Sequence, residues 1–203
     1  MTSKQEILDY AEILLAHCRV ALSYLETYQG LIKRHVPHQS AMLEAPLFFS
    51  IIEKALASEF MIEVCKVFEN HRDVMSIFKL CNICGQNKSL FEGISYNTQI
   101  GGDTLPAPLS IDALIEKARI ALAERDGIIS NLKSQRDQIW AHSDQKHFLY
   151  PEKVETDNPV PLDEIKELLC VVVGFTDMII KAFTGKFEAP YFDKPNACDL
   201  GVG

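Results

Sequence analysis

Long runs of apolar residues at helical spacing constrain this chain more than any other feature of its sequence. From Ile111 onward, apolar residues recur in alternating steps of three and four, the spacing of a helix with one buried face. They are Ile111, Leu114, Ile115, Ala118, Leu122, Ile129, Leu132 and Ile139. Other long segments repeat the pattern, and none alternates apolar and polar residues as a half-buried strand does. The sequence therefore predicts an all-α fold, an antiparallel helical bundle.

Five helices follow from this pattern and from the residues that can cap them. The first begins after Ser3 and runs to about His35, and the second covers 45–69 and is apolar on most sides, so we expect it to be central. A shorter helix is expected over 73–81. Ser110 begins the helix that bears the periodic face described above, and the last helix covers 162–183.

The segments between these helices set the domain organisation. Residues 85–108 are rich in Gly, Asn, Ser and Pro and predict a long irregular connection. A chain of 203 residues suits one compact domain with a sizeable core, which we place at 1–185. Residues 186–203 show little periodicity and are expected to form an irregular C-terminal tail.

Composition limits the cellular compartment and the binding partners that we expect. The formal net charge of −8 argues against broad, nonspecific nucleic-acid binding, although it leaves room for a local phosphate site. The six cysteines lie mostly among apolar residues, as reduced core cysteines of a cytoplasmic protein do. No apolar stretch is long enough to cross a membrane, and the first residues do not resemble a signal peptide. We therefore expect a cytoplasmic protein without a membrane partner.

The candidate chemistry lies near the end of the long helix, where Arg136 precedes His142 by six residues. An arginine that binds a phosphate and a histidine that moves protons are sufficient equipment for cleaving RNA without a metal. Arg136 also falls on the apolar face, four residues after Leu132, so it needs a partner or a subunit boundary. The alternative is that Arg136 pairs with an internal carboxylate while His142 only ends the helix.

Two other candidates are weaker. Cys81 and Cys84 have the spacing of zinc ligands, but a zinc site needs a second pair, and the neighbouring apolar residues favour a helix whose cysteines pack inward. Glu59 and Glu63, four residues apart, are able to line a ligand groove, although such pairs more often mark a solvated edge. No metal site is predicted.

Three phrases of the sequence resemble those of a known family. The segment from Arg136 to Asp144, Arg-Asp-x-x-x-Ala-His-Ser-Asp, resembles the Arg-x(4–6)-His signature of HEPN domains. A helix that opens with Glu44-Ala-Pro46-Leu-Phe48-Phe49 and ends in Val67-Phe68-Glu69, and a last helix introduced by Pro161-Leu-Asp-Glu, are similar to the AbiU-type (abortive-infection) branch of that superfamily. The similarity covers most of residues 5–185.

The resemblance implies a helical bundle of HEPN type that dimerises with the two Arg/His segments facing each other. In active members this cleft is a metal-independent endoribonuclease that acts in antiviral defence or as the toxin of a toxin–antitoxin pair, without a cofactor. By position, Arg136 would bind the scissile phosphate, His142 would serve as general acid or base, and Asp137 would orient one of them. Residues expected to contact RNA are Lys133, Ser143, Lys146 and His147.

Two further observations bear on this expectation: the angle between Arg136 and His142 on a helix, and one residue that differs from the family's pattern. On an α-helix, six residues rotate about 600°, so Arg136 and His142 would point about 120° apart, which suits a site shared across a two-fold axis. Some HEPN toxins have a tyrosine, two residues after the histidine, that a partner enzyme modifies, but this chain has Asp144 there. The competing interpretation is a non-catalytic helical dimer that binds RNA, a nucleotide or a partner protein such as an antitoxin.

Overall fold

The computed structural model describes residues 2–34, 39–71, 73–100, 103–108, 110–141 and 156–185. The predicted all-α fold is confirmed. The helices are α1 (Lys4–Arg34), α2 (Gln39–Glu44), α3 (Pro46–Phe68), α4 (Ile77–Gln86), α5 (Ile111–Glu124), α6 (Asp126–Gln135) and α7 (Leu162–Thr184), with a 3₁₀ turn at Lys88–Phe91 and a π-helical segment at Arg136–Ala141.

Helix α1 begins at a reciprocal cap and forms one wall of the core. The Ser3 hydroxyl accepts a hydrogen bond from the backbone N–H of Glu6 at 3.1 Å, and the Glu6 carboxylate accepts one from the backbone N–H of Ser3 at 2.6 Å. The helix packs against α3 and α7 along an apolar face. That face consists of Ile7, Ala11, Leu14, Leu15, Cys18, Ala21, Leu22 and Leu25, all buried.

Helix α3 is central only in its second half. Its buried residues begin at Phe60 and continue to Phe68. In the first half, the side chains of Leu47 and Phe48 are 73% and 58% exposed. The expectation that the whole helix is central is therefore wrong, because an apolar sequence alone does not supply neighbours on every side.

The segment after α3 differs from the prediction in two places. The short helix starts later than expected, at Ile77, because the Ser76 hydroxyl caps it by accepting a hydrogen bond from the backbone N–H of Lys79 at 3.4 Å. Residues 85–108 are not one irregular connection. They contain the end of α4, the 3₁₀ turn and an antiparallel hairpin of β1 (Ser95–Ile100) with β2 (Asp103–Pro108). Tyr96 and Ile100 in β1 and Leu105 and Ala107 in β2 do alternate with other residues, but the strands are short and contain Pro106 and Pro108, which favour an irregular segment.

The long helix expected from Ser110 is divided at Arg125. The Ser110 hydroxyl caps α5 as predicted, accepting a hydrogen bond from the backbone N–H of Ala113 at 3.3 Å. At Arg125 the backbone leaves the helical range (φ −116°, ψ 20°), and α6 follows directly. The predicted apolar face survives the break. Its members from Ile111 to Leu132 are all buried, while the side chain of Ile139 lies outside the described residues.

Helix α7 closes the bundle. It packs against α1 and α5, and its bounds agree with the predicted last helix. Gly185 ends it in the left-handed conformation (φ 69°), with its N–H bonded to the carbonyl of Lys181 at 2.8 Å, as glycine does at helix ends. Across the residues described above, no helix combines the length and apolar character that a membrane span requires.

Candidate active site

Arg136 is the first residue of the π-helical segment, and two carboxylates hold its guanidinium. Its Nη1 donates to Oε2 of Glu69 at 2.6 Å, and its Nε donates to Oδ1 of Asp137 at 2.8 Å. Glu69 caps the C-terminus of α3, so the pair joins the end of α3 to the start of the π-helical segment. The Arg136 side chain is 28% exposed and that of Glu69 is 23% exposed. Arg136 therefore has a partner within its own chain.

This pairing shifts both titratable groups toward their charged forms. The hydrogen bond to Asp137, followed by that to Glu69, raises the pKa of the Arg136 guanidinium, which outweighs the opposing effect of burial. The hydrogen bond from Arg136 lowers the pKa of the Glu69 carboxyl below its usual range. The site thus holds a guanidinium between the carboxyl groups of Glu69 and Asp137.

Two neighbours complete the surroundings of the pair. Lys133 places its Nζ 4.0 Å from Oε1 of Glu69, and its side chain is 26% exposed. Cys65 lies in the same helix one turn before Glu69, and its Sγ donates to the carbonyl of Leu132 at 3.7 Å. Burial raises the pKa of the Cys65 thiol to about 11, so the thiol is protonated and acts as a core residue.

The π-helical segment changes the expected angle between the signature residues. On an α-helix, Arg136 and His142 would point about 120° apart, but Arg136–Ala141 is π-helical, with i→i+5 hydrogen bonds and more residues in each turn. The value of 120° therefore does not apply. Insertions of this type inside helices occur frequently at functional sites, because they redirect the side chains that follow.

Three amide side chains attach the chain before α7 to α6 and to the π-helical segment. Asn131 donates from Nδ2 to the carbonyl of Pro159 at 2.9 Å, and Gln135 donates from Nε2 to the carbonyl of Asn158 at 2.6 Å. Asn158 in turn donates from Nδ2 to Oε1 of Gln138 at 3.1 Å. The residues on both sides of 142–155 are therefore fixed to the same part of the bundle.

The structure describes only some of the predicted site residues. It brings together Arg136, Asp137 and Lys133, whose proposed roles remain predictions. His142 follows Ala141 directly in the chain but lies outside the described residues, as do Ser143, Lys146 and His147. Sequence reasoning assigned no role to Glu69, although the acidic residue that ends Val67-Phe68-Glu69 was part of the family resemblance.

A second ionic cluster lies farther back on α3. Oε2 of Glu63 lies 2.6 Å from Nδ1 of His17 on α1, and Oε1 of Glu63 accepts from Nζ of Lys66 at 2.5 Å. Burial raises the pKa of the Glu63 carboxyl, but the hydrogen bonds from Lys66 and His17 outweigh it and the net shift is downward. Glu59, which the sequence paired with Glu63, is exposed. Glu63 thus fastens α1 to α3 through His17, and Glu59 lies on the exposed side of the same helix.

The cysteine pair of α4 packs inward. Cys81 and Cys84 are buried in the core, and burial raises the pKa of each thiol to about 12. Both therefore remain protonated at neutral pH, unlike thiolates that ligate zinc. Within the described ranges, no group of three His, Cys, Asp or Glu side chains is placed to hold a metal ion. The other described cysteines, Cys18, Cys65 and Cys170, are also buried, and Cys198 lies outside the described residues.

Comparison with known families gives a match over most of the chain. The model of the family described as AbiU2, of the HEPN type, matches residues 4–192. The match covers both helices that meet at Arg136 and Glu69, and it includes the Arg136–His142 segment. No curated protein and no solved structure matches the chain.

Proposed function

Because the chain belongs to the AbiU2 family of HEPN domains, which suggests a role in abortive infection or defence, we propose that it is a metal-independent endoribonuclease. The observation that carries the proposal is the guanidinium of Arg136, held by Glu69 and Asp137 at the start of the segment that leads into His142. An oriented cation next to a residue that titrates near neutral pH is what phosphodiester cleavage requires.

The guanidinium keeps donors for a phosphate while it is held. Arginine has five N–H donors, and among the described contacts the two carboxylates of Glu69 and Asp137 engage Nη1 and Nε. The remaining donors on Nη1 and Nη2 form the edge that binds a phosphate through two parallel hydrogen bonds. Glu69 and Asp137 would thus fix the plane of Arg136 before the RNA arrives.

The proposed reaction needs one proton acceptor and one proton donor. The ribose 2′-hydroxyl loses its proton as its oxygen attacks phosphorus, the bond from phosphorus to the 5′-oxygen breaks, and that oxygen takes a proton. The products are a 2′,3′-cyclic phosphate and a free 5′-hydroxyl. His142 would supply or accept one of these protons, and Arg136 would stabilise charge on the phosphoryl oxygens.

A homodimer with facing Arg/His segments is part of the proposal, and its support is now the family alone. An arginine on an apolar face needs a partner or a subunit boundary. Glu69 is that partner within one chain, so Arg136 does not by itself require a second copy. Lys133, Ser143, Lys146 and His147 remain the proposed RNA contacts, and an antitoxin protein remains a proposed regulator.

The decisive experiment is digestion of total RNA in the presence of EDTA, with matched variants. We expect wild type to leave 2′,3′-cyclic phosphate ends, with a bell-shaped pH profile. Arg136→Lys should lower the rate by about 10²–10³-fold, and His142→Ala by about 10²–10⁴-fold. Arg119→Lys, at an exposed position of α5 outside the site, should leave it unchanged. Full activity of His142→Ala would contradict the mechanism.

A second candidate function rests on the balance of charge around Arg136. Glu69 and Asp137 offset its cation in a chain of net charge −8, which weakens attraction for a polyanion. This favours a non-catalytic dimer that binds a nucleotide, a short RNA or a partner protein. If purified wild type is dimeric and folded yet leaves every RNA intact, and His142→Ala binds RNA as wild type does, the binding function replaces the enzymatic one.

A further inference from the structure

Glu69 lies between the two cations that the proposed function assigns to RNA. Its Oε2 accepts from Nη1 of Arg136 at 2.6 Å, and Nζ of Lys133 lies 4.0 Å from its Oε1. The backbone N–H of Asn70 also donates to Oε1, at 3.0 Å. A guanidinium, an ammonium and a backbone N–H are the donors that proteins use to bind phosphate. The Glu69 carboxylate is therefore held as a bound phosphate would be.

The two cations meet at Glu69 because they lie three residues apart at the end of α6. Lys133 is in the last turn of that helix and Arg136 caps it, so their side chains share one face. Glu69 caps the C-terminus of α3, where the helix dipole disfavours an anion. Lys133 and Arg136 therefore stabilise a carboxylate at a position that α3 alone does not favour.

Solvent reaches these side chains, so an external anion can compete with Glu69 for the cations. Lys133, Arg136 and Glu69 are each partly exposed. Together with Asp137 they form a group of two cationic and two carboxylate side chains, whose formal charges cancel. An RNA phosphate that approaches the group meets no net attraction, and a carboxylate that faces it opposes binding. Glu69 thus reduces the affinity of the two cations for RNA.

We propose that Glu69 is the internal counter-ion of an anion site formed by Lys133 and Arg136, and that an RNA phosphate displaces it on binding. The inference rests on the proposed phosphate contact of Arg136 and adds how that contact is regulated. Asp137 accepts from Nε of Arg136 at 2.8 Å, so the guanidinium keeps one of its two anchors when Glu69 is displaced. Because the Glu69–Arg136 bond joins α3 to the π-helical segment, RNA binding loosens that connection.

Replacing Glu69 distinguishes a counter-ion from a purely structural residue. If Glu69 only holds Arg136 in place, Glu69→Gln loosens the site and weakens RNA binding. If Glu69 competes with phosphate, Glu69→Gln removes the competing charge and tightens RNA binding. A gain in affinity is therefore a result that structural damage does not produce. Turnover at saturating RNA still falls, because an amide orients Arg136 less firmly than a carboxylate does.

Binding of the full chain to a short, fluorescent 2′-O-methyl RNA tests the proposal apart from catalysis, because this RNA lacks the attacking hydroxyl. Measured by anisotropy, Glu69→Gln should bind about tenfold more tightly than wild type. Glu59→Gln is the matched control, since it removes the same charge from an exposed position of α3. Glu59 lies about 15 Å of helix away from Glu69, beyond the Debye length at physiological salt, so its affinity should stay within about twofold of wild type. Circular dichroism checks that each variant is folded.

A second variant tests whether the gain acts through the shared cations. Lys133→Gln should weaken binding, and adding it to Glu69→Gln should shrink the gain in affinity, because the two side chains act on each other. The proposal is overturned if Glu69→Gln binds no more tightly than Glu59→Gln, if neither wild type nor Glu69→Gln binds, or if Lys133→Gln leaves the gain undiminished. A wild type that leaves unmodified RNA intact refutes the nuclease function alone, because the binding measurement does not depend on cleavage.

Discussion

Glu69 accepts a 2.6 Å hydrogen bond from Arg136 and thereby joins the end of α3 to the start of the π-helical segment. Both side chains are less than a third exposed. The residue that the sequence identifies as a phosphate ligand is therefore also a structural bond between two helices. Substitutions at Arg136 and Glu69 must therefore be measured for stability and for RNA cleavage separately.

Glu69→Gln should destabilise the fold moderately and lower any nuclease activity. The amide keeps an oxygen that accepts from Arg136 but loses the charge, which should cost about 1–2 kcal/mol of unfolding free energy. Urea denaturation followed by circular dichroism measures the loss. Glu59→Gln, an exposed glutamate of the same helix, is the control and should stay within about 0.5 kcal/mol of wild type. Equal stability of both variants would show that the Glu69–Arg136 bond contributes nothing.

Stability should fall on acidification through two carboxyls. The pKa values of Glu63 and Glu69 are both lower in the folded chain than the usual 4.5. Each contributes stability that is fully present above 4.5 and is lost as the pH falls through the lowered folded value, because the unfolded chain binds protons first. Thermal melting from pH 7 to pH 3 should show this fall. It should be shallower in Glu63→Gln and Glu69→Gln, and an unchanged slope in both would contradict the assignment.

The described cysteines should resist alkylation in the folded state. Burial raises the pKa of Cys65 to about 11 and of Cys81 and Cys84 to about 12, so few thiolates exist at pH 8 and reagents cannot reach them. Peptide mass spectrometry after a short iodoacetamide pulse should find these sites largely unmodified, and the same pulse in urea should label all of them. Rapid labelling of Cys81 or Cys84 without urea would show that α4 opens.

Gly127→Ala should stabilise the protein by about 0.5–1 kcal/mol. Alanine allows the unfolded chain fewer backbone conformations than glycine does, and it favours a helix. Gly127 lies in the first turn of α6, and a Cβ added there meets no atom within 4 Å. Gly93→Ala is the contrasting substitution, since Gly93 has φ +74° and should lose stability. Differential scanning calorimetry compares the two. A lower melting temperature for Gly127→Ala would place Gly127 outside a regular helix.

Sequence pattern predicted the parts of the fold that depend on local spacing. The bounds of α7, the cap at Ser110 and the buried face from Ile111 to Leu132 follow from periodicity and capping residues. The break at Arg125 was missed although the turn-forming dipeptide Asp126-Gly127 follows it, because the buried apolar face continues from Leu122 to Ile129 across the break. The exposed half of α3 is also beyond pattern analysis, since periodicity shows which side chains favour burial but not whether a neighbour covers them.

In the candidate site, too, the sequence predicted what local spacing shows but not the contacts that packing makes. Arg136 was identifiable as a cation on an apolar face that needs a partner, and an internal carboxylate was one of the two solutions considered. Nothing in the spacing relates residue 69 to residue 136, because only the packing of α3 against the π-helical segment brings them together. The contact of His17 with Glu63 was likewise invisible to the sequence.

The position of α1 between α3 and α7 has a consequence for how the chain is made. Contacts of α1 with α3 form between segments close in sequence, whereas those with α7 join the two ends of the domain, so closing that long loop is the slower step. A nascent chain on the ribosome therefore holds α1 with the part of its apolar face that α7 covers still exposed until Leu162–Thr184 has emerged. The emergence of Leu162–Thr184, rather than the pairing of the first helices, sets the moment at which the bundle can fold.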